Sequence, residues 1–227
     1  MTPKQLKDLF RREMDDVPEH PDDTSGCLWS DEEIYGYLSE AQQILVYESR
    51  YLFQSVEVIV PANLSSIDLP RRLIDARDIS LLVGDKAYPV ERVNLYTVTA
   101  DVHDYGRVLS TPAAQRGSKL RVTLDLDSDR ITILPPQQED IRLTVNGYVE
   151  ADPIVDSNSR LDVRNPRHQR VMLKGAKAMA YDKHDSEVHN PNQVAKLEAE
   201  FYGGIREIHG ERLRRRREPG TIKYGGL

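Results

Sequence analysis

Apolar residues at the start of the chain recur three and four positions apart. Leu6, Leu9, Phe10 and Met14 make one stripe, the spacing of a one-faced helix. Ahead of them, Thr2-Pro3-Lys4-Gln5 combines a capping threonine, a proline suited to the first helical position and a glutamine that completes a capping box. Ser30 and Glu33 repeat the device, with Trp29 and Ile34 placed to staple across it. Ile34, Leu38, Ala41, Leu45, Tyr51 and Leu52 then supply a second stripe, which predicts a helix to about residue 53. Between the two, Asp15 to Gly26 is acidic and holds Pro18 and Pro21, so it reads as a surface loop.

The period changes from Ser55 to Asp152. Val56 to Val60, Ser66 to Leu69, Ile79 to Val83, Leu120 to Leu124, Arg130 to Leu134 and Ile141 to Val149 are short, β-branched and often alternating. Pro61, Pro70, Pro89, Pro112 and Pro135-Pro136 punctuate them, and Leu124 to Arg130 reads as a hairpin connection. The pattern predicts an antiparallel module of about six strands, a small sandwich or barrel. Residues 100–118, with Gly106 and Gly117, read as a long protruding loop.

Helical spacing then returns. Asn165-Pro166 caps a segment with Val171, Met172, Ala176, Met179 and Ala180. Asn190-Pro191-Asn192-Gln193 caps another, whose Val194, Leu197, Phe201, Ile205 and Ile208 share one face. Gly203-Gly204 weakens its last turns, by about 1 kcal/mol per glycine relative to alanine. One-faced helices at both ends need one another to bury their stripes. The fold class expected is therefore α+β. A helical bundle is built from both chain ends, with an inserted antiparallel β module and an extended basic C-terminal tail. The expected boundaries are 1–54, 55–160, 161–209 and 210–227. Leu6, Phe10, Trp29, Ile34, Leu38, Leu197 and Phe201 are the candidate helical core.

Composition adds a charge asymmetry. The 227 residues are 39% apolar and 30% charged, with a net charge of −6. Residues 206–227 hold seven basic groups against three acidic ones, a net of +4, which leaves −10 on residues 1–205. An acidic body with a basic tail is a statement about partners. The run Arg214-Arg215-Arg216-Arg217 either neutralises phosphates or docks on an acidic protein surface. A body of −10 repels a phosphate backbone, so an acidic protein partner fits at least as well. The bland alternative is a solubilising terminus. No apolar run approaches the roughly 18 residues of a membrane span, and the N-terminus lacks a signal peptide's apolar core. Cys27 is the single cysteine, which excludes an intrachain disulfide, so cytoplasm is the default compartment.

Candidate chemistry is sparse. The sequence holds no phosphate-binding glycine loop, HExxH or GxSxG. The six histidines, His20, His103, His168, His184, His189 and His209, show no metal-ligand spacing. Tyr181 to Asp185 reads as the polar end of a helix rather than an acid/base cluster. Asp125, Asp127 and Asp129 alternate like the start of a calcium loop, but the glycine at the sixth position and the glutamate at the twelfth are missing. The expectation is a protein with no enzymatic activity, metal or cofactor.

Some of these runs carry a resemblance. Leu9-Phe10-Arg11, Met14-Asp15-Asp16, Pro18, Leu28 to Ile34 and Leu38-Ser39-Glu40-Ala41-Gln42 resemble the opening of phage head-to-tail adaptors. Leu173, Gly175-Ala176, Ala180-Tyr181-Asp182, Asp185-Ser186-Glu187 and Glu198-Ala199-Glu200-Phe201 are similar to their return helices. The family is that of tail tubular protein A and the gatekeeper-like adaptors of short-tailed phages. The match covers the helical flanks, roughly 100 residues, and Ser39 departs from an asparagine common there. The resemblance implies a virion protein made in the host cytoplasm, forming a dodecameric ring of itself between the portal protein and the tail nozzle protein. DNA would pass through its channel without sequence-specific binding, and no membrane is involved. It also implies a C-terminal extension that docks on the portal. Arg212, Arg214, Arg215, Arg216 and Arg217 are its candidate carboxylate-pairing groups, with Ile222 and Tyr224 as apolar anchors. The alternative is a nucleic-acid-binding regulatory or packaging-associated protein that uses the same arginines.

Overall fold

A computed structural model describes residues 1–18, 26–69, 72–92, 120–125, 129–134, 137–183 and 189–216, with side chains as far as 214. The loop expected over 100–118 and the tail residues Arg217, Ile222 and Tyr224 lie outside them, as do His184 and Asp185. The chain divides into two compact units, Met1–Tyr51 with Ala151–Leu227, and Leu52–Glu150.

The first unit holds α1 (Pro3–Glu13), α2 (Asp31–Ser49), α3 (Pro166–Asp182) and α4 (Pro191–Arg216). Both capping boxes are closed. Gln5 N–H donates to Thr2 Oγ1 at 3.2 Å and Thr2 N–H to Gln5 Oε1 at 2.9 Å. Glu33 N–H donates to Ser30 Oγ at 3.1 Å and Ser30 N–H to Glu33 Oε2 at 2.8 Å. Trp29 and Ile34 are buried, and the Trp29 ring meets Phe10 edge-on with centroids 5.8 Å apart. Leu6, Phe10, Leu38, Leu197 and Phe201 are buried as well.

α2 stops at Ser49, four residues before the expected end, because Arg50 turns left-handed at φ 52. The boundary expected after 160 falls instead at 150, and polar contacts explain it. Gln42 Nε2 donates to Asp152 O at 3.0 Å, and Gln42 Oε1 accepts from Asp162 N–H at 3.0 Å. Ser39 Oγ accepts from Ile154 N–H at 3.0 Å, and Ile154 is buried. Residues 151–163 are thus fastened to α2.

The glycines of α3 and α4 behave differently from expectation. A Cβ on Gly204 would stand 2.6 Å from Val171, and one on Gly175 would stand 2.9 Å from the Phe201 ring. Each helix therefore carries a gap filled by its partner's side chain, and Gly204 marks close approach rather than the end of a helix. α4 also runs through Gly210 to Arg216, so the expected extended tail from 210 is helical over its first seven residues. Glu, Arg and Leu after Gly210 are good helix formers.

The second unit is a sandwich of two sheets. One has the order β1 (Phe53–Val60), β8 (Ile141–Val149), β3 (Leu73–Val83), β4 (Lys86–Pro89). The other has the order β2 (Ser66–Asp68), β7 (Arg130–Leu134), β6 (Arg121–Asp125), β5 (Glu91–Arg92). All described pairings are antiparallel except the short β5–β6 pair, which is parallel and corrects the purely antiparallel expectation. Val56, Val58, Leu81, Leu143, Val145, Val122, Ile131 and Ile133 belong to one core shared by both sheets. β3 starts six residues before the expected Ile79, and its pairing with β8 shifts register twice, between Leu73 and Asp75 and between Ala76 and Asp78. Gly147 of β8 lies opposite this irregularity, where a Cβ would stand 2.4 Å from Asp75 O.

Candidate functional site

The basic run begins where the buried stripe of α4 ends. Leu197, Phe201, Ile205 and Ile208 face the bundle, whereas Leu213 and Arg214 are exposed. Arg212, grouped in the sequence with the other arginines, sits apart from them. Its Nη1 donates to Tyr51 O, and its guanidinium lies over the Tyr51 ring, 5.0 Å from the centroid. The Tyr51 hydroxyl is 3.0 Å from His168 Nδ1 on α3. Glu211 accepts from Arg167 at 3.0 Å, and Glu207 from the same guanidinium at 3.4 Å. Arg214 Nε returns to Gly210 O, one turn back, at 3.3 Å. Arg215 and Arg216 lie in the helical backbone of α4.

A second charged assembly joins α1 to the start of α2. Arg11 is buried and holds both ends of the acidic loop. Its Nη1 donates to Asp16 Oδ2 at 2.7 Å, and its Nη2 donates to Trp29 O at 3.0 Å and Asp31 Oδ1 at 2.7 Å. Asp16, also buried, accepts Leu28 N–H at 2.6 Å, and Lys7 Nζ reaches Asp31 Oδ2 at 2.5 Å. Burial pushes the Asp31 carboxyl upward, but the Lys7 and Arg11 hydrogen bonds outweigh it and hold it below its ordinary range. Glu33 is also held low, first by Lys183 at 2.7 Å and then by the Ser30 N–H. The pair Lys7 and Arg11, four residues apart at the border of the first stripe, was the sequence signal for this assembly.

Beside it lies a cleft of about 1010 Å³, lined by Lys4, Lys7, Arg12, Pro18, Tyr35 and Asp156 among others. Burial raises the Tyr35 hydroxyl's pKa. The cleft is lined by both positive and negative groups, Lys4, Lys7, Arg11 and Arg12 beside Asp8, Asp31 and Asp156. Among the described residues, no group of three or more His, Cys, Asp or Glu is placed to hold a metal ion. No described helix is long and apolar enough to cross a membrane.

The chain thus combines helices from both ends, an inserted sandwich and a basic helix terminus. The family model described as SU10 adaptor protein matches residues 1–223. The chain belongs to the SU10 adaptor protein family. No curated protein matches it. Membership makes the chain a phage head-tail adaptor, a structural component of the virion that meets other head or tail proteins. The resemblance read from the helical flanks agrees with the family at that level. In the adaptor, the buried Arg11 assembly braces the fold, and Arg214 near the end of α4 is exposed.

Proposed function

We propose that this adaptor assembles as a ring, a dodecamer, between the portal and the tail nozzle, after the manner of tail tubular protein A and gatekeeper-like adaptors. The ring continues the DNA channel and carries the genome outward at ejection. Docking on the portal uses the C-terminal end of α4 and the chain after it, with Arg214 to Arg217 pairing with carboxylates and Ile222 and Tyr224 serving as apolar anchors. The observation that carries this reading is the change at the end of α4. A buried stripe ends at Ile208, and Leu213 and Arg214 follow exposed. The charge balance supports it, because an acidic body of −10 lets DNA pass without the phosphate contacts that hold it. Charged contacts at the rim set the association rate and its salt dependence, and buried anchors hold the complex.

Native mass spectrometry of the full chain, alone and with the portal of its own phage, tests the assembly. A twelve-fold species bound to portal is the expected result. A monomer that ignores portal and binds duplex DNA would replace this reading with the nucleic-acid-binding one. A chain cut after Arg212 should keep its melting temperature and lose docking. The cut belongs there because removal from residue 211 would also delete Glu211 and Arg212, which fasten α4 to the bundle.

A further inference from the structure

The last turn of an α-helix leaves carbonyl oxygens without intrahelical partners and carries the negative end of the helix dipole. α2 has no basic residue in its last turn. Arg50, left-handed, ends it, and the carbonyls of Ser49 and Tyr51 flank that turn. Both are met from α4. His209 Nδ1 lies 3.2 Å from Ser49 O, and since a carbonyl only accepts, Nδ1 carries the proton. Arg212 follows three residues later on the same face and donates to Tyr51 O. Tyr51 connects onward to His168 of α3, while Glu211 takes Arg167 of α3. The last turns of α4 are therefore tied to both neighbouring helices.

We infer that α4 caps the end of α2, with His209 on the last helical carbonyl and Arg212 on the Tyr51 carbonyl two residues past it, and that Arg212 is a positioning residue rather than a partner contact. It fixes the final turns of α4, and so the line along which the chain from Leu213 leaves the bundle. Glu211 and Glu207, the acidic neighbours of Arg212 along α4, are both engaged by Arg167. The link to docking rests on the proposed function, whereas the cap itself does not.

Two readouts on the full-length protein separate them. One is hydrogen exchange of the amides of residues 209–216 in the free subunit. The other is capture by tail-less heads of the parent phage. Arg212→Gln should speed exchange by about tenfold to a hundredfold, the loss of one charged hydrogen bond, and weaken capture by a similar factor. Arg212→Lys should recover part of both, since an ammonium reaches the carbonyl but does not stack flat on Tyr51. Arg214→Gln should weaken capture and leave exchange unchanged. Wild-type exchange in Arg212→Gln overturns the cap. Faster exchange with undiminished capture, while Arg214→Gln loses capture, overturns the positioning role. If exchange rises and neither variant alters capture, the cap stands and the docking reading falls.

Discussion

The helical unit and the β unit are held together by different physics. Seven of the eight buried polar side chains among the described residues (Arg11, Asp16, Gln42, Ser49, Asp162, His168 and Gln169) belong to the helical unit, and Thr123 alone to the sandwich. The core of the sandwich is built of Val, Leu, Ile and Ala, and its ion pairs, such as Arg130–Asp68 and Arg121–Glu91, lie at the surface. In the sandwich, alternation along each strand is enough to specify which face turns inward. The helical unit joins segments more than a hundred residues apart, and directional hydrogen bonds select their register. Met1 meets Gln169, Gln42 meets Asp162, and Ser39 meets Ile154. A core made only of aliphatic contacts tolerates exchange among similar shapes. A buried hydrogen-bonded group does not, because its partner is left behind.

The sharpest test of this contrast is Arg11→Met, which keeps much of the volume and strands the buried Asp16. It should cost about 3–5 kcal/mol, against about 0.5–1.5 kcal/mol for Ile133→Val in the sandwich. Trp29 is the sole tryptophan and lies in the helical unit, so its fluorescence in urea reads Arg11→Met, while hydrogen exchange of the β6 and β7 amides reads Ile133→Val. Equal costs for the two variants would erase the contrast. Gln42→Leu comes next, at about 1–3 kcal/mol for the loss of its buried hydrogen bonds to Asp152 O and Asp162 N–H. The adjacent glycines of α4 should then separate. Gly204→Ala, forced against Val171, should destabilise by about 1–3 kcal/mol, while Gly203→Ala enters open space and should stabilise by up to about 1 kcal/mol.

The smallest effect is acid sensitivity. Asp31 and Glu33 are held below their ordinary values of 3.8 and 4.5, so their stabilisation is full above those values and disappears as pH falls through the lower folded ones. Both side chains are more than a third exposed, at 41% and 37%, so the loss is modest and salt-dependent. Asp31→Asn should flatten the decline of the tryptophan-monitored midpoint below about pH 4, and an unchanged slope would remove Asp31 from the account.

The sequence was legible wherever a local rule fixed the structure. The capping boxes at Thr2 and Ser30 are local hydrogen-bond devices and formed as read. Strands with clean alternation, such as Arg130 to Leu134, were readable too. β4 and β5 were missed because four- and two-residue edge strands carry too little pattern. The first half of β3 was missed because Asp75 and Asp78 interrupt the alternation where the ladder slips against β8. At the C-terminal end, Gly203-Gly204 and Gly210 are local arguments for stopping a helix. Tertiary contacts override them, from Val171 against Gly204 and from Arg212 on Tyr51. Arg212 looked like its basic neighbours because nothing in a run of arginines says which one reaches across to Tyr51.

The reciprocal fit of α3 and α4 has a mechanical consequence. Phe201 occupies the gap at Gly175, and Val171 the gap at Gly204, so the two helices carry opposed knobs and notches. Sliding α4 by a single residue moves it about 1.5 Å along its axis and drives both knobs against backbone that has no room. Tension applied to the end of α4 would therefore load this pair in shear, and the two helices would yield together or not at all.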